Sequence, residues 1–168
     1  AAAPRRRSFR AFLPPCFQPA GLALIVLRTA GPWALLSVLA IAWVADSAAY
    51  FSGKAFGKHK LAPQISPGKS WEGVVGGSLG VLIYVYLLPK SLFTQGELLP
   101  LPYWLVIAIV LTAVSVMGDL LESLFKRQAG IKDSSQLLPG HGGVLDRVDS
   151  LLAILPVAAA IYLAFLLF

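Results

Sequence analysis

The chain has 168 residues, of which 57% are hydrophobic and 13% charged, whereas a soluble domain carries roughly a quarter of its residues as Asp, Glu, Lys or Arg. That excludes an ordinary water-soluble domain, since too little polar surface is left to face water. Fourteen basic against eight acidic residues give +6, a charge that suits nucleic acid, acidic lipid headgroups or cytoplasmic anchoring loops; a membrane chain favours the last two, and no nucleic-acid partner is expected. A lone cysteine, Cys16, excludes an internal disulfide and any multi-cysteine metal site.

Residues 1–19 carry Arg5, Arg6, Arg7 and Arg10 among Pro4, Pro14, Pro15 and Pro19. They read as a basic, poorly ordered leader, distinct from a membrane-embedded catalytic domain over 20–168. Whether Phe17 to Thr29 crosses a bilayer is open, because about 20 residues make a comfortable span. A first core helix is predicted from Pro32 to Ala49 with Asp46 near its end, and residues 51–72, rich in Lys, Pro and Gly, read as a loop. The next helix runs from about Gly73 to Leu88. After a proline-bearing connection at 89–102, a third apolar run extends from Tyr103 to about Leu121 with Asp119 near its end, residues 122–148 form a second charged loop, and Leu151 to Phe168 is the last helix. The expected fold is therefore all-α, a polytopic bundle with about four or five membrane helices. The two Lys- and Arg-rich loops are separated by two spans, so they share a side, and the positive-inside rule makes that side cytoplasmic.

Carboxylates at the edge of apolar helices are costly unless they pair, bind an ion or line a wet cavity, so Asp46 and Asp119 are functional candidates. Asp119, Ser123 and Lys126 stack on one face if their helix continues, with Glu122 beside them. Downstream come Lys132 and Asp133, then Pro139-Gly140-His141-Gly142-Gly143, then Asp146-Arg147 and Asp149. Carboxylates suit a hard cation such as Mg²⁺ completed by substrate phosphates. Basic residues would neutralise phosphate oxygens, and a glycine-rich turn lets backbone N–H groups approach an anion. In the earlier loop, Lys69 and Glu72 flank Ser70 where a helix starts, a place that attracts phosphate and also suits a simple helix cap. No P-loop or dinucleotide-binding glycine motif is present, and His141 lacks the partners of a zinc site. The implied substrate is a phosphate ester.

Ser123-Leu-Phe-Lys126-Arg127, Lys132-Asp133, Pro139-Gly-His141-Gly-Gly143 and Asp146-Arg147-Val-Asp149 together resemble the signature of phosphatidate cytidylyltransferases. A second stretch is similar to the same family: Trp43-Val-Ala-Asp46-Ser-Ala-Ala-Tyr50, Gly53, Leu61-Ala-Pro63, Ile65-Ser66-Pro67, Lys69-Ser70 and Glu72-Gly73. The resemblance covers roughly residues 21–168. It implies a dimeric integral membrane enzyme, in the inner membrane if bacterial, that needs Mg²⁺, alone or with a second cation, and makes CDP-diacylglycerol and pyrophosphate from CTP and phosphatidic acid among membrane lipids. By the match, Asp119 and Asp146 correspond to carboxylates of the metal centre and Lys126 to a base beside it. The departure is N-terminal, where family members ordinarily have further helices, so a complementing N-terminal segment is expected.

Under that reading Lys126, Asp119, Asp146 and Arg147 are catalytic. Lys69, Ser70, Ser123, Arg127, Lys132, His141, Gly142 and Gly143 bind substrate phosphates. Asp46, Glu72, Glu122, Asp133 and Asp149 orient bases or metal waters, Asp46 by pairing with a lysine across the cavity. The competing readings are a related CTP-dependent enzyme on another lipid, a CDP-archaeol synthase or a polyprenol or phytol kinase; an inactive fragment; and a non-catalytic cation pathway or assembly subunit. Charges gathered at helix ends and loops, away from helix centres, disfavour the pathway.

Overall fold

The structure, a computed structural model, describes residues 17–88, 100–130 and 145–167, with side chains from 148 onward in the last segment. Five helices are described: α1 (Phe17–Thr29), α2 (Pro32–Phe56), α3 (Trp71–Leu87), α4 (Leu101–Gln128) and α5 (Leu145–Leu167). A two-stranded antiparallel ribbon, β1 (Lys60–Ala62) and β2 (Ser66–Ser70), separates α2 from α3. Three helices are long and apolar enough to cross a membrane, Pro32–Phe56, Leu101–Gln128 and Val148–Leu167, while α1 and α3 are shorter apolar helices. This is the helical membrane bundle expected from composition. Its outer surface is apolar: Trp43, Leu79, Ile83, Val106 and Ile109 are all exposed, as suits side chains whose solvent is lipid.

Helix starts follow local chemistry. Pro32 and Pro102 occupy first-turn positions of α2 and α4, where the missing N–H removes no helical hydrogen bond. Ser70 caps α3, its Oγ accepting from the Gly73 N–H at 3.2 Å, so the cap expected at this serine is present. The core between helices is made of small and branched residues, among them Ile41, Ala42, Ala45, Val81, Leu111 and Ile154. Where α3 crosses α2, a Cβ on Gly80 would lie 2.7 Å from the Ala48 Cβ, and one on Gly77 3.0 Å from the Ala45 carbonyl oxygen. Small residues let membrane helices approach this closely, and close approach supplies the dispersion contact that holds them together.

Residues 51–72 are more ordered than a loop. Helix α2 continues to Phe56, and the chain then turns through the ribbon, pairing Lys60 with Ser70 and Ala62 with Ser66. The Trp71 N–H donates to the His59 carbonyl at 3.0 Å, which closes the ribbon against the head of α3. The third and last apolar runs are also longer than read, because the polar end of α4 stays helical to Gln128 and α5 begins at Leu145. Continuation of α4 is what places Asp119, Ser123 and Lys126 on one helical face. The leader at 1–16 and the connection at 89–99 lie outside the described residues.

Candidate active site

The polar residues gather at one end of the bundle. The ribbon, the C-terminal part of α4 and the N-terminal part of α5 meet there, and two contacts tie the ribbon to α4. Lys69 Nζ lies 2.5 Å from Asp119 Oδ2, and the Arg127 Nε–H donates to the Ile65 carbonyl at 3.2 Å. The segments read as two basic loops on a common side are therefore in physical contact.

At the centre, carboxylate oxygens of Asp119, Glu122 and Asp149 all lie within 4.8 Å of one another. Asp119 and Glu122 come from adjacent turns of α4, and Asp149 faces them from α5, the two helices being brought close where Gly118 lies against Ala153. Three acids this close repel unless cations compensate them. Two ammonium groups do so in part: Lys69 on Asp119, and Lys126 on Glu122 at 3.0 Å within one helical turn. Lys126 and Glu122 are nearly buried, with side chains 13% and 6% exposed, whereas Lys69 and Asp119 keep 23% and 29%. The Lys69–Asp119 side of the cluster is thus the side that water and ions reach.

The surrounding bonds orient these groups. Asp149 Oδ1 accepts from the Ser150 N–H at 2.8 Å, and the Ser123 hydroxyl stands 3.5 Å from Asp119 Oδ1, a long contact. The Ser150 hydroxyl donates to Asp46 Oδ2 at 3.0 Å, linking α5 to α2 across the bundle. Among the described residues Asp46 takes a serine as its hydrogen-bond partner, and the Lys69 ammonium pairs with Asp119. Since α2 runs to Phe56, Asp46 also sits in the helix interior and not near its end.

Glu72, expected to orient bases or metal waters, is engaged with His59, the residue before the ribbon. Its carboxylate accepts from the His59 N–H at 3.1 and 3.2 Å and meets the His59 ring nitrogen at 2.7 Å. At the head of α3, its own backbone N–H and then the His59 ring hold its carboxyl down at about 2.

Of the residues singled out from sequence, the structure brings together Asp46, Lys69, Ser70, Asp119, Glu122, Ser123, Lys126, Arg127 and Asp149 in one end of the fold. Asp146 and Arg147 fall in the first turn of α5, with side chains outside the described residues, and Lys132, Asp133, His141, Gly142 and Gly143 lie outside them altogether. Two contributors escaped the sequence reading, Ser150 and His59. Ser150 stands one turn after Asp146 on α5, a spacing that could have flagged it; His59 carries no such mark, because its partner is set by the ribbon.

Known proteins resemble this chain over most of its length. The Cytidylyltransferase family model matches residues 7–165. The chain is 50% identical over 135 residues to a phosphatidate cytidylyltransferase of Haemophilus influenzae, an alignment covering 79% of this chain and 46% of the relative. With the phosphatidate cytidylyltransferase of Pseudomonas aeruginosa the identity is 52% over 148 residues, 85% of this chain and 53% of the relative. With that of Thermotoga maritima it is 42% over 141 residues, 83% and 52%. The chain spans about half the length of these curated relatives. With a family match from residue 7 to residue 165 and relatives 42–52% identical over most of this chain, the chain belongs to the cytidylyltransferase family.

Proposed function

We propose that this chain carries the catalytic portion of a phosphatidate cytidylyltransferase, transferring CMP from CTP to phosphatidic acid to give CDP-diacylglycerol and pyrophosphate. The observation that carries the reading is the meeting of three carboxylates and two lysines at one end of a membrane bundle. A phosphate oxygen of phosphatidic acid attacks the α-phosphorus of CTP, the bond from that phosphorus to the bridging oxygen breaks, and pyrophosphate leaves. The nucleophile is already an anion, so neither a strong base nor a covalent enzyme intermediate is needed. Catalysis then rests on positioning and on fixed charge.

The donor set of Asp119, Glu122 and Asp149 is all oxygen and anionic, which fits a hard divalent cation such as Mg²⁺. Asp146 joins that set by the family resemblance, and a second cation belongs to the same reading. When bound, the cation supplies charge neutralisation to phosphate oxygens. Lys69 stands on the more open side of the cluster, where an ammonium can meet an incoming phosphate, and Lys126 holds Glu122 in place. Ser123 and Arg127 flank them on α4. Lys132, His141, Gly142, Gly143 and Arg147 complete the phosphate contacts in this proposal, with Asp133 orienting a base. The side bearing the site is cytoplasmic by its basic residues, the membrane is the inner one of a bacterium, and the working assembly is a homodimer.

The test uses CTP labelled at the α- or the γ-phosphorus with phosphatidic acid and a polyprenol as acceptors, in proteoliposomes. The chain is assayed alone and with the N-terminal portion of a full-length relative. Entry of α-label into phosphatidic acid supports the proposal. Transfer of γ-label to the polyprenol would make the protein a kinase, and no transfer in any arm with a folded sample would overturn the reading.

A further inference from the structure

The carboxylate cluster holds its two ammonium groups in different ways. Lys126 and Glu122 belong to one helix, one turn apart and nearly buried, so their pairing is a fixed feature of α4. Lys69 reaches Asp119 from a separate element, the two-stranded ribbon, and its Nζ also lies 3.5 Å from the Val116 carbonyl oxygen. The pair stays open to solvent, and the ribbon has a second hold on α4 through Arg127 and Ile65 that does not involve Lys69. Lys69 can therefore leave Asp119 without the ribbon losing its place.

We infer that Lys69 is a resident counter-ion of Asp119 that a divalent cation displaces, freeing the ammonium for a substrate phosphate. This rests on the cation-dependent reading above. The physical argument is exclusion: a divalent cation on Asp119 would lie within a few ångströms of the Lys69 ammonium, well inside the screening length of salt, so the two positive charges compete for one carboxylate. Exchange keeps the cluster compensated before and after loading. It also makes loading of the site with cation the event that releases a positive group, Lys69, to receive a phosphate.

Mn²⁺ serves as the probe, its binding to the full chain in lipid nanodiscs read by electron paramagnetic resonance without nucleotide. Lys69→Gln is expected to bind Mn²⁺ roughly three- to tenfold more tightly than the unaltered chain, by removing the competitor, and Lys69→Arg to bind it as the unaltered chain does. Asp119→Asn should abolish binding. If it does not, the cation reading itself fails; if it does, and Lys69→Gln binds no more tightly, only the exchange is overturned.

A second measurement needs no variant. Acylation of the Lys69 amine in the unaltered chain, followed by peptide mass with the exposed Lys54, Lys58 and Lys60 as references, should rise when Mn²⁺ is added and fall again on adding CTP or phosphatidic acid. CTP protection assigns the freed ammonium to the nucleotide, and protection by phosphatidic acid assigns it to the lipid phosphate. Unchanged Lys69 acylation on adding Mn²⁺, or protection by neither substrate, would overturn the inference.

Discussion

The α2–α3 and α4–α5 contacts are both built on glycine, yet they end differently. In the first, Gly76 meets Ser52, Gly77 meets Ala45 and Ala49, and Gly80 meets Ala48, so small residues fill the contact over successive turns. In the second, Gly118 meets Ala153, and immediately beyond it the facing positions are Asp119, Glu122 and Asp149. The first contact is mainly packing, with one long hydrogen bond from the Ser52 hydroxyl to the Gly73 carbonyl at 3.5 Å. The second uses packing to bring α4 and α5 together and then places charges that repel in the adjoining space. The comparison separates what holds the fold from what the fold is for: removing an acid beyond Gly118 should relieve the structure and disable the chemistry, whereas enlarging a glycine of α3 should do the reverse.

The largest effect is expected at Asp149. Asp149→Asn keeps an acceptor for the Ser150 N–H but replaces one of the cluster's three carboxyl groups with an amide. CDP-diacylglycerol formation should fall about 100-fold or more, while thermal stability stays level or rises through relief of repulsion. Gly80→Leu should show the opposite signature, a loss of about 1–3 kcal/mol in stability from overpacking against Ala48, with turnover per folded molecule little changed. Denaturation in detergent and rates normalised to folded protein check both.

Ser150→Ala sits between the two regions, since it removes the bond joining α5 to Asp46 of α2. It should cost about 1–3 kcal/mol by leaving that carboxylate short of a partner. The smallest effect is local. The Glu72 carboxyl should titrate near 2 by carboxyl NMR and move up toward its ordinary 4.5 in His59→Ala, part of the way only, because its own backbone N–H remains. With a depressed folded value, the tie between ribbon and α3 is fully present above about 4.5 and is lost as pH falls toward 2.

Much of the site was legible because it is local. Asp119, Ser123 and Lys126 fall on one face of any helix that continues past Leu121, and α4 does continue. The cap at Ser70 was readable from a serine ahead of an apolar run with an acid in its first turn. What was not legible depends on chain segments far apart in sequence. Lys69 meets Asp119 only because the ribbon folds back at the end of α2, and a stretch rich in Lys, Pro and Gly carries no alternating apolar pattern from which to read two strands. The Asp46–Ser150 bond is hidden for the same reason: Ser150 lies on the last helix, and the geometry between helices is set by glycines whose close contacts no periodicity displays.

The proposed role of the acids beyond Gly118 is cation-dependent nucleotidyl transfer to phosphatidic acid. It is tested most directly by measuring CDP-diacylglycerol formation from CTP and phosphatidic acid against Mg²⁺ concentration, for the unaltered chain and Asp119→Asn, each supplied with the N-terminal portion of a full-length relative. Product should rise with Mg²⁺ in the unaltered chain and drop about 100-fold or more in the variant at every concentration. Product formation that ignores Mg²⁺, or survives Asp119→Asn, would contradict it.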